Sequence, residues 1–291
     1  MDLRQVEFVV AVVDHGGFTK AAAALHVAQP SLSQSVRRLE AELGSPLFTR
    51  HARGVLLTGA GEAFLGPARR LLRDARATRE AVGEHTLLMT GTLDLVALPT
   101  LVADPLVGFV GSFRERHPGV TVRIAEPGDA RQLLDMLRDG RCEVGLTEAA
   151  GALDGLARVP LGRQRLLAVL PPGPEDDIPQ RLAPEDLGRH ALIMTPAGTS
   201  TRDRVDDALV AAGAHAVVRV ETRQREAIVP LVLAGAGATV LPEPLANDAA
   251  RRGARVRPFR PALARTISLV HPVDGLSPAA TAFVKLVEST R

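Results

Sequence analysis

One short stretch of this sequence carries polar side chains that can hydrogen-bond to the edges of DNA bases. Gln29, Ser33 and Arg37 are spaced four residues apart, so on a helix they would lie one above another. Gln can pair with adenine, Arg with guanine, and Ser can contact base edges or phosphates. The spacing therefore predicts a helix that reads the major groove. The full predicted contact set on this helix is Gln29, Pro30, Ser31, Ser33, Gln34, Arg37 and Arg38.

The opposite face of the same stretch is apolar and is expected to lie against a hydrophobic core. Pro30 suits the first turn, where no intrahelical bond is lost, and Gly44 is expected to end the helix in a left-handed conformation. The apolar residues recur at steps of four, three and four, which is helical spacing. They are Leu32, Val36, Leu39 and Leu43.

A shorter helix is predicted before this one and a β-hairpin after it. Thr19 is expected to cap an alanine-rich helix from Lys20 to His26. Residues 46–58 predict two short strands whose basic tip would hold Arg50 and Arg53 against phosphates. The polar helix alone is equally compatible with an ordinary solvated face. Two helices, a tight turn and a basic wing together favour a sequence-specific DNA-binding domain.

These segments resemble the winged helix-turn-helix domain of LysR-type transcriptional regulators. The resemblance rests on an opening amphipathic helix with Leu3, Val6, Phe8 and Val10, on FTKAAAALHVAQPSLSQSVRRLEAELGSPLF, and on LLTGAGEAF from Leu56 to Phe64. A common form of the family has a serine before the Gln-Pro pair, whereas this chain has Ala28. Because alanine offers no side-chain oxygen to cap the helix, we expect a local loss of about 1 kcal/mol.

A long helix is predicted to follow the wing, capped by Thr58 and extending to about Glu84. Its apolar residues alternate steps of four and three, which is the seam of a coiled coil and needs a partner helix. A dimer would place two reading helices on adjacent half-sites, and the alternative is a helix packed on its own domain. The predicted dimerisation residues are Phe64, Ala68, Leu71, Ala75, Thr78 and Val82.

From Thr92 onward strands alternate with helices, the pattern of an α/β domain. Strands are predicted at 93–98, 121–125, 144–146, 165–170, 191–194, 217–221 and 266–271. Helices are predicted at 101–116, 130–139, 201–212, 223–234 and 278–289, and 227–242 reads as a buried helix followed by a strand. The stretches GTLDLVALP, FRERHPGVTVRI, LRDGRCEVGL and LVLAGAGATVLPE resemble the LysR effector domain.

The predicted architecture is α/β overall, with three regions. An all-α winged helix-turn-helix domain spans 1–58, a linker helix and hinge span 59–90, and an effector-binding domain spans 91–291. The resemblance implies that this last domain has two lobes, like a periplasmic binding protein of type 2. Lobe I would cover about 91–162 and 265–291, and lobe II about 163–264.

The resemblance also places a small-molecule effector between the lobes. Thr100 and the loop from Pro196 to Thr201 each join a strand end to a helix start, where hydroxyls and free amides can hold an anion. Simple helix capping is the alternative. Glu148 would repel an anion or orient an amine, and Arg202 could neutralise a carboxylate. We expect a small polar organic effector, contacted by Thr100, Leu101, Thr147, Glu148, Pro196, Gly198, Thr199 and Arg202.

Other functional classes receive little support. The sequence contains no nucleophile elbow, phosphate loop, paired-histidine motif or dinucleotide fingerprint, so neither catalysis, a cofactor nor a metal is expected. A two-lobed binding protein or enzyme with an accessory helix-turn-helix is the alternative. With 35 basic against 33 acidic residues, the chain lacks the strong positive charge of a nonspecific nucleoid protein.

The remaining expectations concern location, partners and redox chemistry. Asp2, Arg4 and Glu7 interrupt the first apolar run, so we expect no signal segment, no membrane and a cytoplasmic protein. The resemblance implies a homodimer that pairs into a tetramer, and contact with RNA polymerase. Cys142 is the only cysteine among 291 residues, which excludes the intramolecular two-cysteine peroxide switch of some LysR regulators.

Overall fold

The computed structural model describes residues 1–51, 54–83, 90–148, 153, 155–174 and 178–290. The N-terminal domain consists of helices α1 (Leu3–Asp14), α2 (Phe18–Ala24) and α3 (Gln29–Leu43), followed by the antiparallel strands β1 (Phe48–His51) and β2 (Gly54–Leu57). The expected apolar face of α3 is buried at Leu32, Val36 and Leu39. Leu43 is an exception, since it is 42% exposed in the last turn of the helix.

Two expected helix ends are confirmed and one is wrong. Gly44 adopts the left-handed conformation with φ 72° after α3, and the Thr58 hydroxyl accepts a hydrogen bond from the Gly61 N–H at 3.0 Å. Thr19 does not cap α2, because the helix begins at Phe18, one residue before Thr19, and Gly17 is its N-cap. Starting the helix at Phe18 buries that ring against Phe48 of the wing.

The long helix α4 (Gly59–Gly83) packs partly on its own chain, so the predicted seam is only partly free. Phe64 lies against the N-terminal core and Ala68 is only 3% exposed. Further along, Leu71 is 38% exposed and Thr78 is exposed, whereas Ala75 is half-buried. The Val82 side chain lies outside the part of the chain whose side chains are described. The first three turns of α4 therefore pack on their own chain, which is the alternative that the sequence left open.

Lobe I of the C-terminal domain has a mixed sheet covered by helices, in which the strand Gly91–Ala97 pairs in parallel with its two neighbours and the strand Ala264–Pro272 pairs antiparallel with its own. The predicted strand and helix pattern is largely confirmed. Its elements are β3 (Gly91–Ala97), α5 (Pro99–Leu101), a π-helical turn (Val102–Leu106), α6 (Val107–Arg116), β4 (Val120–Ala125), α7 (Ala130–Arg138) and β5 (Val144–Thr147). The single helix predicted over 101–116 is wrong. Asp104 is extended, with φ −160° and ψ 124°, because a following proline disfavours the helical conformation.

Two long strands carry the chain between the lobes. The first is β6 (Leu156–Leu170), and the second is β11 (Ala264–Pro272). β6 pairs with β11 over its first part and with lobe II strands over its last residues. The predicted strand at 165–170 is thus only the second half of β6. The predicted lobe crossings near Arg163 and Ala264 fall on these two strands, whose register places Arg163 opposite Thr266.

Lobe II surrounds the remaining strands with helices. It comprises a 3-10 turn (Pro184–Arg189), β7 (Ala191–Met194), α8 (Ser200–Ala211), β8 (Val217–Glu221), a 3-10 turn (Arg225–Ala227), α9 (Ile228–Leu233), β9 (Thr239–Pro242), α10 (Glu243–Arg251) and β10 (Arg255–Pro258). The chain then returns to lobe I and ends with α11 (Pro278–Ser289). Neither α10 nor β10 is expected from sequence. The large sheet has the strand order β10-β6-β11-β5-β3-β4, with β9 beside β6.

Each lobe has its own hydrophobic core. The lobe I core lies around β3, β5 and α11, with Phe113 and Phe283 in edge-to-face contact. Lobe II has apolar clusters on both sides of β6 and β9. Because the two cores are separate, the seam between the lobes is free to hold polar groups. Within the described ranges, no helix is both long enough and apolar enough to cross a membrane.

Candidate functional site

The exposed face of α3 carries most of the residues expected to read DNA. Pro30, Ser31, Gln34, Arg37 and Arg38 are exposed, and Gln29 is half-buried. All six lie on a helix whose other side is held by the N-terminal core. The arrangement presents two guanidinium groups and two amide side chains to solvent from one rigid element, as a major-groove reader must.

Ser33 departs from that face. It is only 7% exposed and belongs to the buried stripe with Leu32 and Val36. Ser33 lies about 60° around the helix from Val36, so its side chain sits at the border of the apolar stripe. A small hydroxyl is tolerated at that border. The expectation that Ser33 contacts DNA is corrected on this ground.

The wing is fixed to both neighbouring helices by side-chain hydrogen bonds. Glu40 of α3 accepts through Oε1 from the backbone N–H groups of Leu47 (2.8 Å) and Phe48 (3.2 Å). Thr58 donates to the carbonyl of Pro46 at 2.6 Å while it caps α4. Sequence reasoning missed the role of Glu40. The Arg50 side chain and the whole of Arg53 lie outside what the structure describes.

A cavity of about 440 Å³ lies between the lobes of the C-terminal domain. Lobe I contributes the start of α5 and the loop before α7, and lobe II contributes the loop before α8, α9 and the ends of β7 and β9. Among the expected effector contacts, Thr100, Gly198 and Thr199 line this cavity. The expected cleft is thus open and bordered by both predicted loops.

The other expected effector contacts do not line the cavity. Leu101 is fully buried in the lobe I core, and Thr147 is 1% exposed within β5. Arg202 turns away to bond Asp206 at 2.7 Å. Pro196 and Glu148 are also absent from the lining. The strand ends lie near the cavity as expected, but side-chain direction decided which residues face it.

The cavity wall combines apolar surface with hydroxyls and charges of both signs. Met194, Ile228 and Leu241 supply apolar surface, and Thr100 and Ser200 supply hydroxyls. The charged residues in the lining are Asp129, Asp203, Arg225, Glu226, Asp248 and Arg252. Such a wall suits a small organic molecule with an apolar body and at least one hydrogen-bonding group. The expected small polar organic effector stays a prediction, to which the apolar part of the wall adds an apolar body.

Arg225 connects the lobes at the edge of this cavity. Its guanidinium, from lobe II, lies 3.4 Å from the Glu126 carboxylate of lobe I. Burial lowers the pKa of Arg225, and the nearby Glu126 partly offsets that effect. Sequence reasoning missed both residues, because nothing in their local pattern distinguishes them from surface charges.

A buried ion cluster lies beside the cavity, around Arg265 of β11. This side chain has no exposed surface and bonds to Glu148, Gln164, Thr100 and Ser200. Glu148 therefore neither repels an anion nor orients an amine at a free surface, because arginine already pairs with it. Arg265 follows the predicted lobe crossing, which was the only sequence signal for its position.

The single cysteine is held away from solvent in lobe I. Cys142 is buried, and its thiol donates to the carbonyl of Leu95 at 3.6 Å. Burial, with a smaller contribution from the negative charge of Asp94, raises the pKa of Cys142 to about 12. Such a thiol is a poor nucleophile at neutral pH. In the described portion of the chain, no group of three or more His, Cys, Asp or Glu residues could hold a metal ion.

A winged helix-turn-helix joined by a long helix to a two-lobed domain with an interlobe cavity defines a ligand-responsive transcriptional regulator. Two family models match this chain. The bacterial regulatory helix-turn-helix protein of the lysR family matches residues 3–62, and the LysR substrate binding domain matches residues 86–291. The chain belongs to the LysR family of transcriptional regulators.

Individual relatives agree with this assignment. The chain is 30% identical over 294 residues to a hydrogen peroxide-inducible genes activator of Dickeya chrysanthemi, covering 100% of this chain and 95% of the relative. A full-length OxyR variant from Pseudomonas aeruginosa superposes with a TM-score of 0.76 at 24% identity, covering 100% of this chain and 94% of that one. CbnR in complex with its target DNA gives a TM-score of 0.66 at 23% identity, with both chains fully covered.

These comparisons confirm the expected fold and the main functional prediction. The protein is a DNA-binding transcriptional regulator with an effector-binding domain. Its relatives are regulators rather than enzymes. The alternative of an enzyme with an accessory helix-turn-helix is therefore set aside.

Proposed function

We propose that this regulator reads its operator with the exposed face of α3 and with the wing, and that a small molecule in the interlobe cavity controls it. The observation that carries the first part is the row of exposed polar side chains on α3 opposite a packed core. Gln29, Gln34 and Arg37 are the proposed base readers, and Pro30, Ser31 and Arg38 flank them. Each good bidentate contact discriminates by roughly 1–3 kcal/mol.

The wing is proposed to supply phosphate contacts. Glu40 and Thr58 fix its base against α3 and α4, so the base of the wing is held together with the reading helix. Arg50 and Arg53 are the basic residues of that hairpin. Phosphate contacts position the protein without reading sequence, and they make binding depend on salt.

The regulator is proposed to act as a homo-oligomer with two kinds of contact. Leu71 and Thr78 on the exposed side of α4 would meet a second copy of that helix. The effector domain also exposes apolar side chains on the edge strands of both lobes, Ile124 of β4 at 43% and Val217 of β8 at 51%. Pairing of dimers into a tetramer would use such edge strands.

The effector is proposed to be a small organic molecule with an apolar body and a polar end. Met194, Ile228 and Leu241 would hold the body, with Thr100 and Thr199 at the polar end. Several relatives are named for hydrogen peroxide. This chain has one cysteine, buried and with a raised pKa, so a response through an intramolecular disulfide is not part of the proposal.

Effector binding would shift the population toward one lobe arrangement and change the geometry between dimers. The altered geometry would change DNA bending and contact with RNA polymerase. A regulator that works in this way acts in the cytoplasm, where bacterial promoters are. The divergently transcribed neighbouring gene is the first place to seek the operator and the pathway that supplies the effector.

Operator selection from genomic fragments, followed by binding measurements, tests the proposal. Arg37→Ala should weaken binding to the selected site by roughly 5–150-fold and relax base preference at one position. Arg53→Ala should weaken binding to all sequences and reduce the salt dependence by about one counterion. Arg116→Ala, an exposed arginine on α6, serves as the matched control. Unchanged affinity and base preference in Arg37→Ala would refute the assignment of the reading face.

A further inference from the structure

One carboxylate of lobe I is surrounded by donors in the way that a bound ligand would be. Glu148 follows β5, and its Oε1 accepts from Nη1 of Arg265 at 2.5 Å and from the hydroxyl of Ser200. Its Oε2 accepts from Nε of Arg204 at 3.1 Å. Ser200 and Arg204 lie on the first two turns of α8 in lobe II. The Glu148 carboxylate therefore spans the seam between the lobes.

The central cation of this cluster is built into the fold. The Arg265 side chain has no exposed surface, and Glu148 has 8%. Arg265 also donates from Nε to Gln164 (2.7 Å) and from Nη2 to Thr100 (2.9 Å), and Gln164 in turn donates to Asp104 at 2.7 Å. Burying a guanidinium costs free energy unless an anion compensates it, and burial lowers the pKa of Arg265 accordingly. The geometry thus requires an anion at the position that Glu148 occupies.

We propose that Glu148 is a built-in ligand, whose carboxylate fills a carboxylate-binding site made by Arg265, Ser200 and Arg204 and holds the two lobes together without a free anion. The proposal rests on the proposed function only in treating the cleft as the regulatory site. Because Glu148 already fills the site, simple free carboxylates should not bind there in the wild-type protein. The effector instead enters the adjacent cavity.

The cavity and the cluster share two hydroxyl groups. Thr100 and Ser200 both line the cavity and both bond to the cluster, Thr100 through Arg265 and Ser200 through Glu148. The Ser200 hydroxyl donates its one proton to Glu148, so an effector that accepts that proton removes a hydrogen bond between the lobes. The Thr100 hydroxyl accepts from Arg265 and can donate to an effector at the same time. Binding in the cavity is thereby linked to how firmly Glu148 holds lobe II.

Chemical rescue tests whether an anion site lies beneath Glu148. In full-length protein, Glu148→Ala empties the site, and Glu148→Gln keeps its volume but removes the charge. The chain has no Trp or Tyr, so melting is followed by calorimetry rather than by intrinsic fluorescence. In sodium chloride the Ala variant should melt roughly 6–15 °C below wild type, because Arg265 is left without its counterion.

Sodium formate at matched ionic strength should raise the melting temperature of the Ala variant by several degrees, with saturation. It should not raise that of wild type or of the Gln variant, in which the site is filled. The proposal is overturned if formate raises the melting temperatures of all three proteins equally. It is also overturned if the Ala variant and wild type have the same melting temperature in sodium chloride. Neither DNA nor an effector is present, so failure of the proposed operator contacts would leave this result unaffected.

Lobe separation gives a second measurement that does not depend on rescue. Spin labels on Glu115→Cys in lobe I and Asp207→Cys in lobe II, both exposed positions, are introduced in a Cys142→Ala background. Labelled protein is diluted with unlabelled protein so that distances within one chain dominate. Glu148→Gln should lengthen or broaden the interlobe distance distribution relative to Glu148. An unchanged distribution would overturn the proposal even if the Ala variant does not fold.

Discussion

Arg73 of α4 lies against Glu143 of lobe I, with its Nε 3.8 Å from the carboxylate Oε1. Arg73 also donates to the carbonyl of Gly140. One turn earlier on the same helix, Arg69 bonds to Asp14 at the end of α1. Successive turns of α4 therefore bond to the DNA-binding domain and to the effector domain. A movement of either domain would be transmitted to this helix.

Arg73→Ala should weaken the contact between α4 and lobe I. Glu143 is only 1% exposed and would lose the nearby positive charge, although its hydrogen bonds from Ser277 remain. We expect a loss of about 1–3 kcal/mol, less than for a buried carboxylate left with no partner. Calorimetric melting measures it. Arg251→Ala, which removes an exposed pair with Asp248, should cost less than about 1 kcal/mol, and equal losses in the two variants would contradict the prediction.

Glu143 should give stability an unusual dependence on pH. Burial raises the pKa of Glu143 above its ordinary value of 4.5, against the lowering effects of the Ser277 backbone N–H and of Arg73. The folded state thus holds the proton more tightly than the unfolded chain. This contribution is fully present below pH 4.5 and is lost as the pH rises through the folded-state pKa. Glu143→Gln should therefore gain in melting temperature relative to wild type as the pH rises toward neutrality. A constant difference across that window would show that the carboxylate titrates normally.

Cys142 should be almost inert in the folded protein. With a pKa raised from 9.0 to about 12 by burial, its thiolate fraction near pH 8 falls about a thousandfold. Labelling with a thiol reagent should be at least ~100-fold slower in native protein than in urea, and Cys142→Ala should leave operator binding unchanged with or without peroxide. Rapid native labelling, or a peroxide response lost in Cys142→Ala, would contradict this prediction.

Two threonines provide a matched test of helix capping. Thr58 caps α4 and bonds to Pro46, so Thr58→Ala should lower the melting temperature by roughly 3–6 °C. Thr19 is exposed and caps nothing, so Thr19→Ala should change it by no more than about 1 °C. If both variants melt alike, the link between wing and linker helix contributes no stability.

The exposed part of α4 should control self-association. Leu71→Glu places like charges at a symmetric contact and should weaken dimerisation at least ~10-fold, as measured by analytical ultracentrifugation. Val273→Glu, at another exposed apolar residue with 63% exposure, is the control and should leave association unchanged. A dimer unaffected by Leu71→Glu would place the interface elsewhere.

Local pattern predicted much of this protein because its secondary structure follows short-range rules. The bounds of β7, β8 and α11 agree with the sequence pattern residue for residue, since apolar spacing and turn residues define each element nearby. The expected end of α3 at Gly44 and the cap at Thr58 were confirmed for the same reason.

Predictions failed where side-chain direction or distant packing decided the outcome. Ser33 is buried at the border of the apolar stripe on α3. Thr19 does not cap α2, because the helix begins at Phe18 and buries that ring. Similarly, Phe64 and Ala68 pack against their own chain, whereas the spacing predicted that they face a partner helix. None of these choices is visible in spacing alone.

The sequence by itself determined the family, the domain order and the face of α3 that meets solvent, because these depend on residue type and on spacing within about twenty residues. Only the tertiary structure decided which groups meet across the lobes. Glu148, Ser200 and Arg265 are far apart in the chain, and the cluster exists because β6 and β11 bring both lobes to one seam. A buried cation needs an anion beside it, and the fold rather than the local sequence decides which residue supplies that anion.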